Sequence, residues 1–233
     1  MMSDISAADL ANTITAFATI LSGLVPLALT ALTRRQPARW IWVYWAIVIT
    51  GIATVWNHGF GEGFWAGVAD GGTNLLLAWL LQVAVLRDYY SPAVRWRVTI
   101  VSGLVNSAVI IWRIIYGPGF PFLYVLSFGA FGGFHPLEVI LILDSMLVFV
   151  LFYIRLREIP VGTRPLLYLL TFVFFVAGLF ASASNQRVDF HIVAYHALWH
   201  TLGAFGFIVL WAFNHERFAG QGLPKGSTGK LQS

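Results

Sequence analysis

The sequence predicts an all-α membrane protein, a bundle of seven transmembrane helices with the N-terminus outside or lumenal and the C-terminus cytoplasmic. Three observations predict it. Of 233 residues, 58% are hydrophobic and only 10% charged, against about 25% charged in a soluble domain. The apolar residues fall into seven runs of about the 20 residues that a bilayer crossing needs. The basic residues fall almost entirely on one side of those runs.

The runs cover about 10–33, 39–58, 64–86, 97–117, 136–155, 165–184 and 190–213. Short punctuated separators divide them: RRQPAR, GFGEG, RDYYSPAVRWR, RLREIPVGTR and NQRVD. The first ten residues, MMSDISAADL, carry no basic region before the first apolar run, so that run reads as a retained span and not a cleaved signal. Residues 117–136, GPGFPFLYVLSFGAFGGFHP, are apolar but broken by Gly and Pro, and read as an interfacial or partly inserted outer loop. The seven-span domain is expected over residues 1–219, followed by a disordered cytoplasmic tail over 220–233.

Seven spans put the 34–39, 87–97 and 155–164 loops and the C-terminal tail on one side. That side holds Arg34, Arg35, Arg39, Arg87, Arg95, Arg97, Arg155, Arg157, Arg164, Arg217, Lys225 and Lys230, twelve of the fourteen basic residues. Only Arg113 and Arg187 lie toward the other side. The positive-inside rule makes the basic side cytoplasmic. The same placement accounts for the net charge of +4 without a nucleic-acid partner. Cysteine is absent, which excludes disulfides and thiolate metal sites.

Polar and ionisable groups within the spans carry the functional information, because hydrocarbon makes them expensive. His196 and His200 lie four residues apart in the seventh run, so they project from one helical face at a spacing that suits two ligands of one metal ion. A third ligand must come from another helix, and His58 at the outer end of the second run is the natural choice. Asp70 lies roughly 9 Å into the third run by helical rise, His196 at about 9 Å and His200 at about 15 Å. Thr54 lies one turn deeper than His58. Residues far apart in sequence thus converge on one layer in the outer half of the bundle.

The remaining polar residues have plainer readings. Arg113 is expected to pair with Asp144 or Glu138, the alternative being a substrate headgroup contact. His135 and His191 sit at span edges, and His215 lies on the cytoplasmic side. The Trp and Tyr residues suit interfacial belts and packing.

This pattern resembles a known superfamily of seven-span hydrolases, the alkaline ceramidases, adiponectin and progestin receptors and their Per1-like relatives. The shared pattern is Ser-x3-His, then Asp, then His-x3-His. Here it is met by Thr54-x3-His58, Asp70 and His196-x3-His200, with Thr in place of the usual Ser. The string HALWH, residues 196–200, is similar to the Per1-like and ceramidase end of the group, which shares the outside N-terminus. The acidic N-terminal calcium site of such ceramidases is not carried over, since only Asp4, Asp9 and Asn12 are available.

The resemblance implies a zinc-dependent hydrolase of a lipid amide or ester bond. His58, His196 and His200 would hold the zinc, Asp70 would act as general base, and Thr54 would bond the water or the developing oxyanion. The lipid substrate would enter from the bilayer. Two rival readings use the same residues: a bis-histidine haem protein, or a seven-span receptor or transporter with a structural metal. The paired broken spans of transporters are not evident, and the only lysines, Lys225 and Lys230, lie in the tail, which argues against a retinal protein.

Overall fold

The computed structural model describes residues 7–33, 36–60, 63–117, 136–184 and 195–219. They form seven helices: α1 (Ala7–Thr33), α2 (Ala38–Gly59), α3 (Phe64–Tyr89), α4 (Pro92–Tyr116), α5 (Pro136–Ile154), α6 (Arg164–Ser184) and α7 (Tyr195–Ala219). All seven contain a stretch long and apolar enough to cross a membrane. No strand occurs among the described residues. Residues 118–135 and 220–233 lie outside them, so the expectations for the outer loop and the tail concern undescribed residues.

Helices α3 and α4 approach each other more closely in sequence than the hydropathy pattern suggests. α3 runs through Arg87 and Asp88 to Tyr89, and α4 starts at Pro92. Apolar runs mark the hydrocarbon layer, whereas helices continue into the headgroup region. Proline at the first helical position costs nothing, because that N–H has no intrahelical acceptor. α7 likewise continues past residue 213, to Ala219.

The bundle is turned inside out relative to a soluble protein. Phe17, Leu21, Trp42, Ile52, Leu104, Phe172 and Phe175 are exposed, while Thr19, Thr50, Thr54, Gln82, Asn106, Asp144 and Asn214 are buried. Such a molecule hides its polar groups among its own helices and presents hydrocarbon outward, the arrangement a bilayer demands. The composition and the seven spans together make this a multi-pass membrane protein.

α1 packs between α2 and α7, α2 packs on α3, α3 on both α4 and α5, and α6 on α7. The contact of α1 with α2 depends on two glycines. A Cβ added at Gly51 would stand 2.7 Å from the Ile20 amide nitrogen, and one added at Gly23 would stand 2.8 Å from the Tyr44 carbonyl oxygen. Small residues let transmembrane backbones touch in this way. This contact sets the separation of the α1 and α2 ends, where the candidate site lies.

At the opposite end a buried ion cluster joins α2, α3 and α7. Asp88 accepts hydrogen bonds from Arg39, from Trp40 Nε1 at 3.1 Å and from Arg217 Nη2 at 2.5 Å. Arg217 also donates to the Tyr89 hydroxyl at 2.7 Å and to Asn214 Oδ1 at 2.9 Å. Its guanidinium lies among the rings of Phe218, Trp40 and Phe213. Arg217, counted from sequence among the basic residues of one side, is 2% exposed. Its pairing with Asp88 keeps α7 helical and docked beyond the apolar run.

Gly51→Ala is expected to lower the thermal midpoint of the detergent-purified protein, because the Ile20 backbone must move, at a cost of about 1–3 kcal/mol typical of overpacking. Gly178→Ala, where an added Cβ meets nothing within 4 Å, is the control and should leave the midpoint unchanged or raised. Equal midpoints for Gly51→Ala and the parent would rule out a tight α1–α2 backbone contact.

Candidate metal centre

Each residue of the site follows from helical spacing. On α2, Thr54 and His58 share a face, with Asn57 beside them. On α3, Asp70 and Asn74 are one turn apart. On α7, His196 and His200 are one turn apart, and α1 brings Asn12 and Thr15 against His200. The helix ends that carry these residues all lie at one end of the bundle.

His58, His196 and His200 form one cluster in which one ligand atom from each residue lies within 4.8 Å of the others. His58 Nε2 stands 3.1 Å from His196 Nε2. The ring centroids are separated by 4.8 Å for His58 and His196, 5.5 Å for His58 and His200, and 4.6 Å for His196 and His200. His200 is buried, and the other two are half-buried.

The donor set fits a borderline divalent ion. The 3.1 Å between two imidazole nitrogens is close to the roughly 3.3 Å edge of a tetrahedron with metal–nitrogen distances near 2.05 Å. His200 is oriented as a ligand would be: its Nδ1 lies 3.2 Å from the Asn12 carbonyl oxygen and 3.3 Å from Thr15 Oγ1. Nδ1 therefore carries the proton and Nε2 presents its lone pair inward, the second-shell pattern of metal-bound histidines. His58 Nδ1 is buried without a hydrogen-bond partner among the described residues. Imidazole ligands suit zinc. A porphyrin clamped between His58 and His196 would need a slab-shaped gap, and their 3.1 Å approach leaves none between those two.

Asp70 is held by three donors. Thr54 Oγ1 lies 2.7 Å from Oδ1, Asn74 Nδ2 lies 3.2 Å from Oδ1, and Asn57 Nδ2 lies 3.2 Å from Oδ2. Thr54 Oγ1 also lies 2.9 Å from the Thr50 carbonyl. A hydroxyl has one proton, and the carboxylate is the stronger acceptor. Thr54 is therefore a partner of Asp70.

Asp70, Thr54, His196 and His200 share the wall of one cavity of about 100 Å³, room for several water molecules. Beyond them the wall turns apolar, with Leu77, Leu81, Leu141, Phe174 and Phe207 from α3, α5, α6 and α7. Polar groups at one end and hydrocarbon at the other suit a molecule with a polar linkage and an apolar tail.

No protein-family model matches this chain, and no curated protein matches it either. The site must be judged on its own chemistry.

Other polar residues fall elsewhere. Asp144 accepts a hydrogen bond from Asn106 at 2.7 Å, and the carboxylate that acts electrostatically on Arg113 is Glu138. His215 stacks on Trp211 near the far end of α7, with ring centroids 4.8 Å apart. His135 and His191 lie outside the described residues. Sequence reasoning missed Asn57, Asn74, Thr15 and the Asn12 carbonyl. The two asparagines had a signal, being carboxamides one helical turn or less from Thr54 or Asp70. A backbone carbonyl has none.

The purified protein is expected to carry about one tightly held zinc ion per chain, and His200→Ala to lose most of it, since two protein ligands rarely hold zinc firmly. Elemental analysis checks this, with His215→Ala as the control that keeps its metal. Full zinc content in His200→Ala would remove His200 from the ligand set.

Proposed function

We propose that this protein is a zinc-dependent intramembrane hydrolase of a lipid amide or ester bond, similar to the alkaline ceramidases and their superfamily. The observation that carries the proposal is a cluster of three imidazoles from α2 and α7, two of which, His196 and His200, share one cavity with the Asp70 carboxylate from α3 and a largely apolar remaining wall.

His58, His196 and His200 would hold the metal. Zinc in such a set supplies Lewis acidity and makes water acidic enough to ionise near neutral pH. Asp70 accepts a proton from the attacking water and passes it to the leaving amine or alkoxide. Thr54, Asn57 and Asn74 hold the Asp70 carboxylate in one orientation, so its geometry does not have to be reached anew in each turnover. The apolar wall takes the acyl or alkyl tail and excludes water from the linkage. A receptor or transporter holding a structural metal would use the same histidines but would not need Asp70 as a base.

The site is assigned to the non-cytoplasmic side. The support is the twelve-to-two distribution of basic residues, which argues for an outside N-terminus, combined with the position of His58 at the C-terminal end of α2 and of His196 and His200 at the N-terminal end of α7. Gly63 is exposed at this end, between α2 and α3. A cysteine introduced there is expected to react with a membrane-impermeant maleimide in intact cells. Labelling only after permeabilisation would invert the orientation.

Asp70→Asn separates enzyme from receptor. It keeps the shape of the side chain and removes the proton acceptor. Zinc content and folding are expected to persist while lipid hydrolysis falls by at least about 10²-fold, the usual contribution of a general base. Zinc and turnover measured on the same preparations decide it. Wild-type turnover in Asp70→Asn would make Asp70 structural, and loss of zinc equal to that of His200→Ala would place Asp70 among the ligands.

A further inference from the structure

The cavity beside the histidines continues inward past the reactive groups, and two helices define its length. On α3 the lining runs from Asp70 through Asn74 and Leu77 to Leu81, and on α7 from His196 through Gly203 to Phe207. Each set keeps to one helical face, and each extends about 16.5 Å by helical rise. α3 and α7 start at the same end of the bundle and have little backbone contact with each other. The cavity is therefore a slot between two parallel faces. Its outer end is polar, and from Leu77 and Gly203 inward its wall is mainly apolar. The Thr19 and Ser145 hydroxyls also reach the lining, and a helical Ser or Thr can satisfy itself on its own backbone.

Gly203 decides the width of this slot. It is buried, yet a Cβ added there would meet nothing within 4 Å. Protein interiors are close-packed, so a buried glycine with open space before it faces a void and not a neighbour. Gly206 is the contrasting case. A Cβ added there would stand 2.6 Å from the Phe174 ring, which lines the same cavity and packs on Phe207 with ring centroids 5.3 Å apart. Gly206 thus lets Phe174 seat against α7, whereas Gly203 leaves the turn before it unfilled. Glycine within a helix is destabilising relative to alanine, so a glycine that packs against nothing is explained by the space it keeps open.

The inner end of the slot is closed. Beyond Leu81 and Phe207 come Val85, Phe152 and Phe213, all with no exposed surface. The Phe152 and Phe213 rings meet edge to face with centroids 5.4 Å apart. The slot therefore has a fixed length as well as a fixed width. A volume of about 100 Å³ spread over that length makes it narrow, with room for one chain and not for a ring system. An alkyl chain advances about 1.25 Å per bond, given C–C bonds near 1.5 Å. The slot therefore accommodates roughly a dozen carbons.

We propose that this slot binds one unbranched alkyl chain of at most roughly a dozen carbons, and that Gly203 is the residue that sets which tails enter it. The proposal rests on the hydrolase reading only for what lies at the polar end, the linkage beside Asp70 and the histidines. The slot takes a tail whether or not that linkage is cut. Any side chain larger than a methyl at position 203 would grow into the path of the tail, one turn inward of His200.

The test uses full-length protein in lipid nanodiscs and needs no turnover. Octanol, dodecanol and octadecanol, each with a diazirine on its last carbon, are added and irradiated, and mass spectrometry locates the labelled residues. Dodecanol is expected to label Leu81 or Phe207. Octanol should label about one helical turn, roughly 5 Å, further out, at Leu77 or Gly203. Octadecanol exceeds the slot and should label Leu81 and Phe207 severalfold less than dodecanol. Gly203→Leu should cut the dodecanol label at those two residues severalfold, leaving zinc content and the label on lipid-facing Phe172 unchanged, while Gly203→Ala keeps most of it. Wild-type labelling confined to exposed residues such as Phe172 and Phe175 would overturn the slot, and that result needs no variant to fold. Equal labelling in Gly203→Leu would overturn the role of Gly203, and equal labelling by octadecanol would overturn the length limit. Slot labelling by dodecanol without any cleaved lipid would uphold the slot and count against the hydrolase reading alone.

Discussion

In hydrocarbon, a polar group has no water to fall back on, and every feature of this bundle answers to that constraint. The helices satisfy their own backbones. The side chains that remain polar must find partners on neighbouring helices, and these contacts decide which helices pack together. Asp70 draws α2 to α3 through Thr54 and Asn57. Asp88 draws α2, α3 and α7 together through Arg39 and Arg217. Asp144 draws α4 and α5 together through Asn106. Three carboxylates, one from each of three layers of the bundle, act as the interhelical fasteners.

The two ends of the bundle use their polar groups differently. At the Asp88 end the charges are paired and enclosed by aromatic rings. Breaking one such pair leaves a buried charge behind, which is why these arrangements are rigid even where they add little net stability. At the histidine end the groups are held but not consumed. Asp70 is oriented by neutral donors, His200 by a backbone carbonyl, and the faces they leave free border a cavity. One end thus fixes the helices against each other, and the other holds His58, His196, His200 and Asp70 at set spacing.

The cavity joins this chemistry to the solvent that surrounds the protein. Its polar wall holds Asp70, His196 and His200, and its apolar wall is built from helices that face lipid on their other sides. The α1–α2 contact through Gly23 and Gly51 matters here, because α1 contributes the Asn12 carbonyl that orients His200. A residue with no chemistry of its own, glycine, therefore bears on the geometry of the histidine cluster.

Much was legible from the chain itself. Seven apolar runs and the side chains expensive in lipid are properties of local composition, so the spans and the candidates Thr54, His58, Asp70, His196 and His200 could be read without coordinates. Helical rise even placed them at one depth, because rise per residue is nearly invariant. Rotation about each helix axis and the choice of neighbour are not local, and here the tertiary structure decided. It set Thr54 on Asp70 and left Asp144 to Asn106. It also buried Arg217, whose side of the bundle but not its burial was legible in the sequence, and extended α3, α4 and α7 beyond their apolar runs. Hydropathy reports where a chain meets lipid. Which polar group meets which depends on packing across the whole bundle, and that appears only when the helices are together.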